Sequence, residues 1–172
     1  MRPEFRKTCD AVRRQIDDFV DLSRSPEDVA VRIETVSAWS VGEQLEHLAL
    51  VDRRILDGME KLRDEPESFP RDGSPKLLGR IFLWLGVIPR GRGQAPAPSR
   101  PQGLSADQLA TVWSEVERRF RDLEPLLDDL AATGRRMPHP IFGPLDFGQW
   151  LRFIQVHHHH HWKIIRDIRA AA

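Results

Sequence analysis

The chain has 172 residues, with 26 basic and 26 acidic side chains and a formal net charge of zero. This length fits one domain, residues 1–172, with a core that needs no disulfide, and the balanced charge gives no support for binding nucleic acid. A single cysteine excludes an intramolecular disulfide, and no apolar stretch approaches the ~20 residues of a membrane span.

Four long segments repeat apolar residues every three or four positions, which is typical of a helix with one buried face. The first covers about Pro3 to Ser23 and stops before Ser25-Pro26, because a proline disfavours a helical residue before it. Cys9 falls on the apolar face of this helix. We therefore interpret its thiol as a small buried hydrophobe and not as a nucleophile.

The second segment begins at Ser40, where Glu43 three residues later has the spacing of a capping box, and it continues to Leu62. The stretch from Asp64 to Gly103 then collects seven prolines and several glycines, which favours a crossover connection. Inside this crossover, the residues from Lys76 to Leu85 predict a short helix.

The third segment starts at Ser105 with Gln108 and extends to Leu130, and Gly134 is a plausible C-cap. Pro125 lies inside its apolar pattern and should kink the helix or divide it in two.

The residues from His139 to Leu145 predict a tight loop, after which Asp146 opens the fourth long segment, which ends near Ala170. Almost nothing in the chain shows the alternation of a strand. The predicted fold is therefore all-α, a four-helix bundle with a long crossover between helices 2 and 3. The core of such a bundle is where metals and ligands bind.

Five consecutive histidines, His157 to His161, lie within the fourth segment. A run of this kind near a C-terminus usually marks a purification tag. Here the apolar period continues on both sides of the run, from Phe147 to Ile168, which indicates a native helix. Because about 100° of rotation separates consecutive residues, the five rings cannot share one target.

His157 and His161 lie nearly above one another, and two imidazoles at this spacing can hold one metal ion. His158 and His161 are a competing pair, and His160 lies near the same face. Buried neutral imidazoles without partners each cost about 1 to 3 kcal/mol, so several of them favour a bound ligand. A catalytic ion needs a third protein ligand. His47 on the second helix could supply it, but from the residues alone an ordinary half-exposed helical histidine is an equal alternative.

Two strings in the chain resemble the DinB/YfiT-like superfamily, and the four-helix interpretation that accompanies them covers nearly the whole chain. They are Trp39-Ser40-Val41-Gly42-Glu43-Gln44-Leu45-Glu46-His47-Leu48, and His139-Pro140-Ile141-Phe142-Gly143-Pro144-Leu145 followed by Trp150 and the pair His157 and His161. The resemblance implies a bundle that binds a divalent ion, zinc or nickel. The implied ligands are His47, His157 and His161, with water completing the coordination shell.

Members of this superfamily include S-transferases that use bacillithiol or mycothiol, a thiol-dependent maleylpyruvate isomerase and proteins described as metal-dependent hydrolases. The resemblance therefore implies a metal-dependent enzyme that acts on a small-molecule substrate, with a low-molecular-weight thiol as a candidate partner. The sequence does not separate thiol transfer from hydrolysis.

The chain departs from this pattern where Trp162-Lys163-Ile164-Ile165 follows the second histidine of the pair, because many relatives have a polar segment with glutamine there. The extra histidines between His157 and His161 also allow a shifted ligand register. We interpret His139 as a turn residue.

Two other functions remain open. The bundle could hold a metal or an apolar ligand without catalysis, or it could be purely structural, with histidines paired to carboxylates such as Glu43 or Glu46.

The N-terminal residues from Met1 to Asp10 are charged throughout, unlike a signal peptide, so we expect a cytoplasmic protein with no membrane partner. Phe82, Trp84 and Leu85 could form a pocket wall, a homodimer face or the cover of the bundle end. The arginines around Arg90 are typical of a solvated loop, although they could also meet an anionic group of a thiol cosubstrate.

Overall fold

The computed structural model describes residues 3–90 and 95–172 of the chain. This part is mainly helical, in agreement with the predicted all-α class, and none of its helices combines the length and apolar character needed to cross a bilayer. The helices are α1 (Pro3–Ser23), α2 (Pro26–Ala30), α3 (Val41–Asp64), α4 (Leu77–Leu85), α5 (Ala106–Leu123), α6 (Leu127–Ala132) and α7 (Phe147–Ala170), and the strands are β1 (Arg136–His139) and β2 (Gly143–Asp146).

The four long helices, α1, α3, α5 and α7, bury their apolar faces against one another. Helix α1 packs on α5 and α7, and α3 packs on the same two helices. Trp113 and Phe19 are the largest fully buried side chains where α5 meets α1, with ring centroids 4.9 Å apart. Cys9 is also fully buried, and burial raises the pKa of its thiol to about 12, so the interpretation as a buried hydrophobe is confirmed.

Capping boxes fix the first residues of α3 and α7. The Ser40 hydroxyl accepts the N–H of Glu43 at 3.1 Å, and the Glu43 carboxylate accepts the N–H of Ser40 at 2.7 Å. Asp146 and Gln149 make the corresponding pair of bonds at the start of α7, at 2.9 and 3.0 Å. Because these bonds satisfy otherwise unpaired N–H groups, they define where each helix begins.

The third predicted segment is divided at its proline. Helix α5 ends at Leu123, a 3₁₀ turn covers Glu124–Leu126, and α6 follows. Gly134 adopts a positive φ of 64°, as expected for a residue that ends a helix.

The short helix α4 lies on the crossover and turns only part of its surface inward. Gly79 is buried against Phe142, whereas Trp84 is 81% exposed and Leu85 is 54% exposed. Phe82 is partly buried and its ring lies 5.6 Å from that of Phe142. Of these three side chains, Phe82 thus packs toward the hairpin, whereas Trp84 and Leu85 are mainly exposed.

The segment predicted as a tight loop is a β-hairpin. Strands β1 and β2 are antiparallel, with Met137 opposite Leu145 and Pro138 opposite Pro144. The Trp150 indole N–H donates to the Met137 carbonyl at 3.1 Å, which holds the hairpin against α7. Four-residue strands that each contain a proline carry too little alternation to be recognised from sequence.

Gly42 lets α2 approach the first turn of α3, so this contact gives a first test of the structure. A Cβ at Gly42 would lie 2.6 Å from Val29 Cγ1 and 3.0 Å from the Val29 carbonyl oxygen. We expect Gly42→Ala to lower the free energy of unfolding by about 1–3 kcal/mol, despite the better helix propensity of alanine.

Gly58→Ala is the matched control on the same helix, since its Cβ would meet only the flexible Met137 Sδ at 3.3 Å. This variant should be neutral or more stable by about 0.5–1 kcal/mol. Urea unfolding of the two variants beside the wild type measures the difference, and equal stabilities would contradict the described contact.

Candidate metal centre

Helices α3 and α7 bring three imidazoles together in the protein interior. His47 lies near the start of α3, and His157 and His161 lie one turn apart in the middle of α7. The three residues are only 6%, 8% and 7% exposed, in that order. The structure thus groups the three histidines that the sequence proposed as ligands.

The imidazole nitrogens converge on a small volume. The Nε2 atoms of His47 and His157 are 3.3 Å apart, and one nitrogen from each of the three rings lies within 4.8 Å of the other two. Two nitrogens that bind one tetrahedral ion at about 2.0 to 2.1 Å are themselves about 3.3 to 3.4 Å apart. The separation between His47 and His157 therefore matches that of two ligands of one ion.

The outward nitrogens of two of these rings have fixed partners. Nδ1 of His47 lies 2.6 Å from the Ser99 carbonyl oxygen, and Nδ1 of His161 lies 2.6 Å from Gln44 Oε1. Both oxygens accept hydrogen bonds, so each Nδ1 donates, and in a neutral ring Nε2 then keeps its lone pair. Gln44 is itself oriented, because its amide nitrogen donates to Ser37 Oγ at 3.0 Å. This arrangement leaves the Nε2 lone pairs of His47 and His161 available for another partner.

His157 is held differently from the other two. Its ring stacks on Phe153, with centroids 5.3 Å apart and planes inclined by 12°. Its Nδ1 atom is buried and makes no hydrogen bond in the structure. A ring whose Nε2 faces another imidazole nitrogen in this apolar setting fits a cation between the two nitrogens, because a cation removes the repulsion between facing lone pairs.

Burial keeps these imidazoles neutral. Desolvation, followed by the neighbouring His161 and His47, lowers the pKa of His157 well below its ordinary value. Desolvation and then His47 lower the pKa of His161 in the same way. Desolvation also lowers the pKa of His47, although the Ser99 carbonyl opposes it. Neutral rings are the form that binds a metal ion.

The remaining histidines of the run point elsewhere. His158 is fully buried, and its Nε2 lies 2.6 Å from the Asp52 carboxylate on α3, so it is committed to that partner. Its ring also packs against Phe19, with centroids 5.1 Å apart. His159 is exposed and His160 is partly exposed. The shifted pair of His158 with His161 is therefore not the pair that meets His47.

His139 acts as a turn residue, as interpreted from the sequence. Its Nδ1 accepts the N–H groups of Ile141 and Phe142, each at 3.1 Å, and its ring stacks on Phe142 at 4.4 Å. Burial lowers its pKa to about 4. These bonds close the hairpin between β1 and β2.

The carboxylates suggested as alternative histidine partners are engaged with other groups. Glu43 bonds to Arg32 at 2.8 Å in addition to its capping role. Glu46 accepts backbone N–H groups from the crossover. Of the arginines around Arg90, Arg90 itself forms an ion pair with Asp167 at 2.7 Å, and Arg92 lies outside the described residues.

Sequence reasoning missed the hydrogen-bond partners of His47, His161 and His158. Gln44 lies three residues before His47, a spacing that places both on one helix face and could have been noticed. Ser99 acts through its carbonyl from within the proline-rich crossover, where no side-chain pattern indicates it. Asp52 could not be matched to His158 without the relative rotation of α3 and α7.

Comparison with known families gives one finding. A family model described as the DinB superfamily matches residues 8–165, which is most of the chain. Comparisons with curated proteins and with solved structures find no match.

The buried imidazoles should make the metal-free protein sensitive to acid. Their pKa values are lowered on folding from about 6.5 in the unfolded chain, so below that pH the unfolded state binds more protons. The free energy of unfolding should therefore fall as the pH drops from 7.5 to 5. The slope should approach about 1.4 kcal/mol per pH unit for each histidine protonated only on unfolding.

Urea unfolding in the presence of a chelator, repeated across this pH range, measures the slope. The variant His161→Gln keeps a polar side chain but removes one imidazole, so its slope should be shallower than that of the wild type. A stability that does not change between pH 7.5 and 5 would contradict burial of these rings.

Proposed function

The chain belongs to the DinB superfamily, and from this membership and the three converging imidazoles we propose that it is a metal-dependent enzyme. In this proposal His47, His157 and His161 bind one divalent ion, and water completes the shell. We further propose the family arrangement for the whole chain: one domain, residues 1–172, formed as a four-helix bundle with a long crossover between its second and third long helices.

One observation favours a catalytic metal site over a purely structural one. Among the described residues, the group close enough to hold one ion contains three histidines and no fourth His, Cys, Asp or Glu. Structural zinc sites are closed by four protein ligands, whereas catalytic sites keep three and leave a position for water or substrate. Three histidines are also a ligand set that suits zinc or nickel.

A divalent ion at these nitrogens would polarise an electrophile or lower the pKa of a bound water or thiol. The chain's own residues orient the imidazoles and shield them from water. Ser99 and Gln44 hold Nδ1 of His47 and of His161, so both rings keep their Nε2 lone pairs inward. The rings of Phe153 and Trp39 flank His157 and His47 at 5.3 and 5.2 Å and keep water from their faces.

We propose a small-molecule substrate and either thiol transfer or hydrolysis as the reaction. The implied thiol is a low-molecular-weight one such as bacillithiol or mycothiol. Nucleic acid is not favoured as a partner, because 26 basic residues are balanced by 26 acidic ones. The set of three histidines with no fourth protein ligand among the described residues supports thiol transfer and hydrolysis equally, since both reactions need an open position on the ion.

The second candidate is a protein that holds the metal without catalysis. The burial of the three ligands favours it, since each is less than a tenth exposed. Ligands buried to this degree limit the access of a small molecule to the ion. A measurement of activity with the loaded protein separates the two functions.

Metal content is the first test. Protein purified without a metal-affinity column should contain close to one zinc or nickel ion per chain by mass spectrometry. His47→Ala, His157→Ala and His161→Ala should each lower this value at least tenfold, because two histidines leave the ion half coordinated. The affected residues lie on two different helices, so loss in all three variants would establish a site that spans both.

Two control variants separate this site from simple chelation by the histidine run. The double variant His159→Ala/His160→Ala removes the more exposed imidazoles and should keep the metal. His158→Gln retains a donor for Asp52 and should also keep it. Metal that survives His47→Ala but is lost from the double variant would overturn the proposed ligand set.

Catalysis is tested with the zinc-loaded and nickel-loaded proteins against a panel of small electrophiles and esters, with and without bacillithiol or mycothiol. Turnover that requires the thiol indicates transfer, and turnover in its absence indicates hydrolysis. His161→Gln should abolish either activity. Full metal occupancy with no turnover of any substrate would favour the non-catalytic alternative.

A further inference from the structure

Glu46 is a buried carboxylate next to a proposed metal ligand, yet its oxygens bind the crossover and it is not one of the grouped ligand residues. It is 3% exposed and precedes His47 on α3. Its Oε1 accepts the N–H of Gln102 at 2.7 Å. Its Oε2 accepts the N–H groups of Gly103 and Leu104 at 2.8 and 3.0 Å. A buried carboxylate requires such donors, and three consecutive backbone N–H groups satisfy it.

The backbone that surrounds this carboxylate has a shape that favours glycine. Gly103 has a φ of 86°, in the left-handed region, which turns consecutive N–H groups toward one point. No heavy atom lies within 4 Å of a Cβ built at Gly103. The glycine is therefore required by the backbone conformation and not by lack of space.

The same short segment supplies the partner of His47. The Ser99 carbonyl that lies 2.6 Å from His47 Nδ1 is only three residues before Gln102. The segment is tied internally, because Ser99 N–H donates to the Pro96 carbonyl at 2.9 Å and Arg100 Nε donates to the Ala95 carbonyl at 3.0 Å. Consecutive residues of α3, Glu46 and His47, thus hold both ends of residues 99–104.

We propose that Glu46 is a positioning residue for the metal centre and acts through the crossover. By binding the N–H groups of residues 102–104, it places the Ser99 carbonyl on Nδ1 of His47. That contact keeps the hydrogen of His47 on Nδ1 and leaves the Nε2 lone pair facing His157. A glutamine could not replace Glu46, because its amide nitrogen would meet N–H donors in place of an acceptor.

This inference rests on the proposed metal function, because the orientation of His47 serves metal binding. The tautomer of His47, however, can be measured in the metal-free protein. The test is nitrogen NMR of histidine-labelled, metal-free wild type and Glu46→Gln, with the His47 signals assigned from His47→Gln. The wild type should show one tautomer with hydrogen on Nδ1. Glu46→Gln should show a mixture of the two tautomers and bind zinc about tenfold more weakly in chelator competition.

Asp64→Asn is the control, since it removes one negative charge from the exposed end of α3, far along the helix from His47. It should change neither the tautomer nor the zinc affinity by more than about twofold. Gly103→Ala loosens the same segment from the other side through backbone strain, so it should shift the tautomer in the same direction, to a smaller extent. If circular dichroism shows that Glu46→Gln does not fold, Gly103→Ala decides the question.

A single unchanged His47 tautomer in both variants, with zinc affinities equal to that of Asp64→Asn, would overturn the role of Glu46. A wild type that binds no zinc would instead overturn the proposed metal function, and the tautomer result would still decide whether Glu46 positions His47.

Discussion

Four imidazoles are buried where α3 and α7 meet, and much of the surrounding structure serves to give their nitrogens partners. A polar ring nitrogen taken from water into an apolar core costs free energy unless a hydrogen bond or a ligand replaces the lost water. Gln44 and Asp52 on α3 and the Ser99 carbonyl meet one nitrogen each on His161, His158 and His47. The buried imidazoles thus fall into two groups: His47, His157 and His161 converge on one another, and His158 is hydrogen-bonded to Asp52.

These contacts also fix how the two helices lie against each other. Gln44 and Asp52 are eight residues apart, or about 12 Å along α3. They bind His161 and His158, respectively, on α7. A rotation or a slide of either helix would leave at least one buried polar group unpaired. The hydrogen bonds that orient His158 and His161 therefore also fix the packing of α3 against α7. The capping boxes at Ser40 and Asp146 support this by defining the first turn of each helix.

The features that could be predicted from the sequence are those that depend on a local residue pattern. Helical periodicity gave the four long helices, and the division at Pro125 followed from proline chemistry. The spacing of His157 and His161 indicated a shared target, but the choice of His47 as their partner came from a resemblance. The Ser99 carbonyl could not be predicted, since backbone groups leave no trace in side-chain patterns. Nor could the commitment of His158 to Asp52, because it depends on the relative rotation of two helices distant in sequence.

The residues after His161 show how the chain can depart from its relatives without losing support for the proposed ligand. Trp162 packs on Phe19 with centroids 5.5 Å apart, and Ile165 is fully buried. This part of α7 therefore serves the core. The polar partner of His161 comes instead from Gln44 on α3, whose amide is oriented by Ser37. Because α3 also carries His47 and Glu46, one helix supplies a proposed ligand, the hydrogen-bond partner of a second proposed ligand and the carboxylate that binds the crossover.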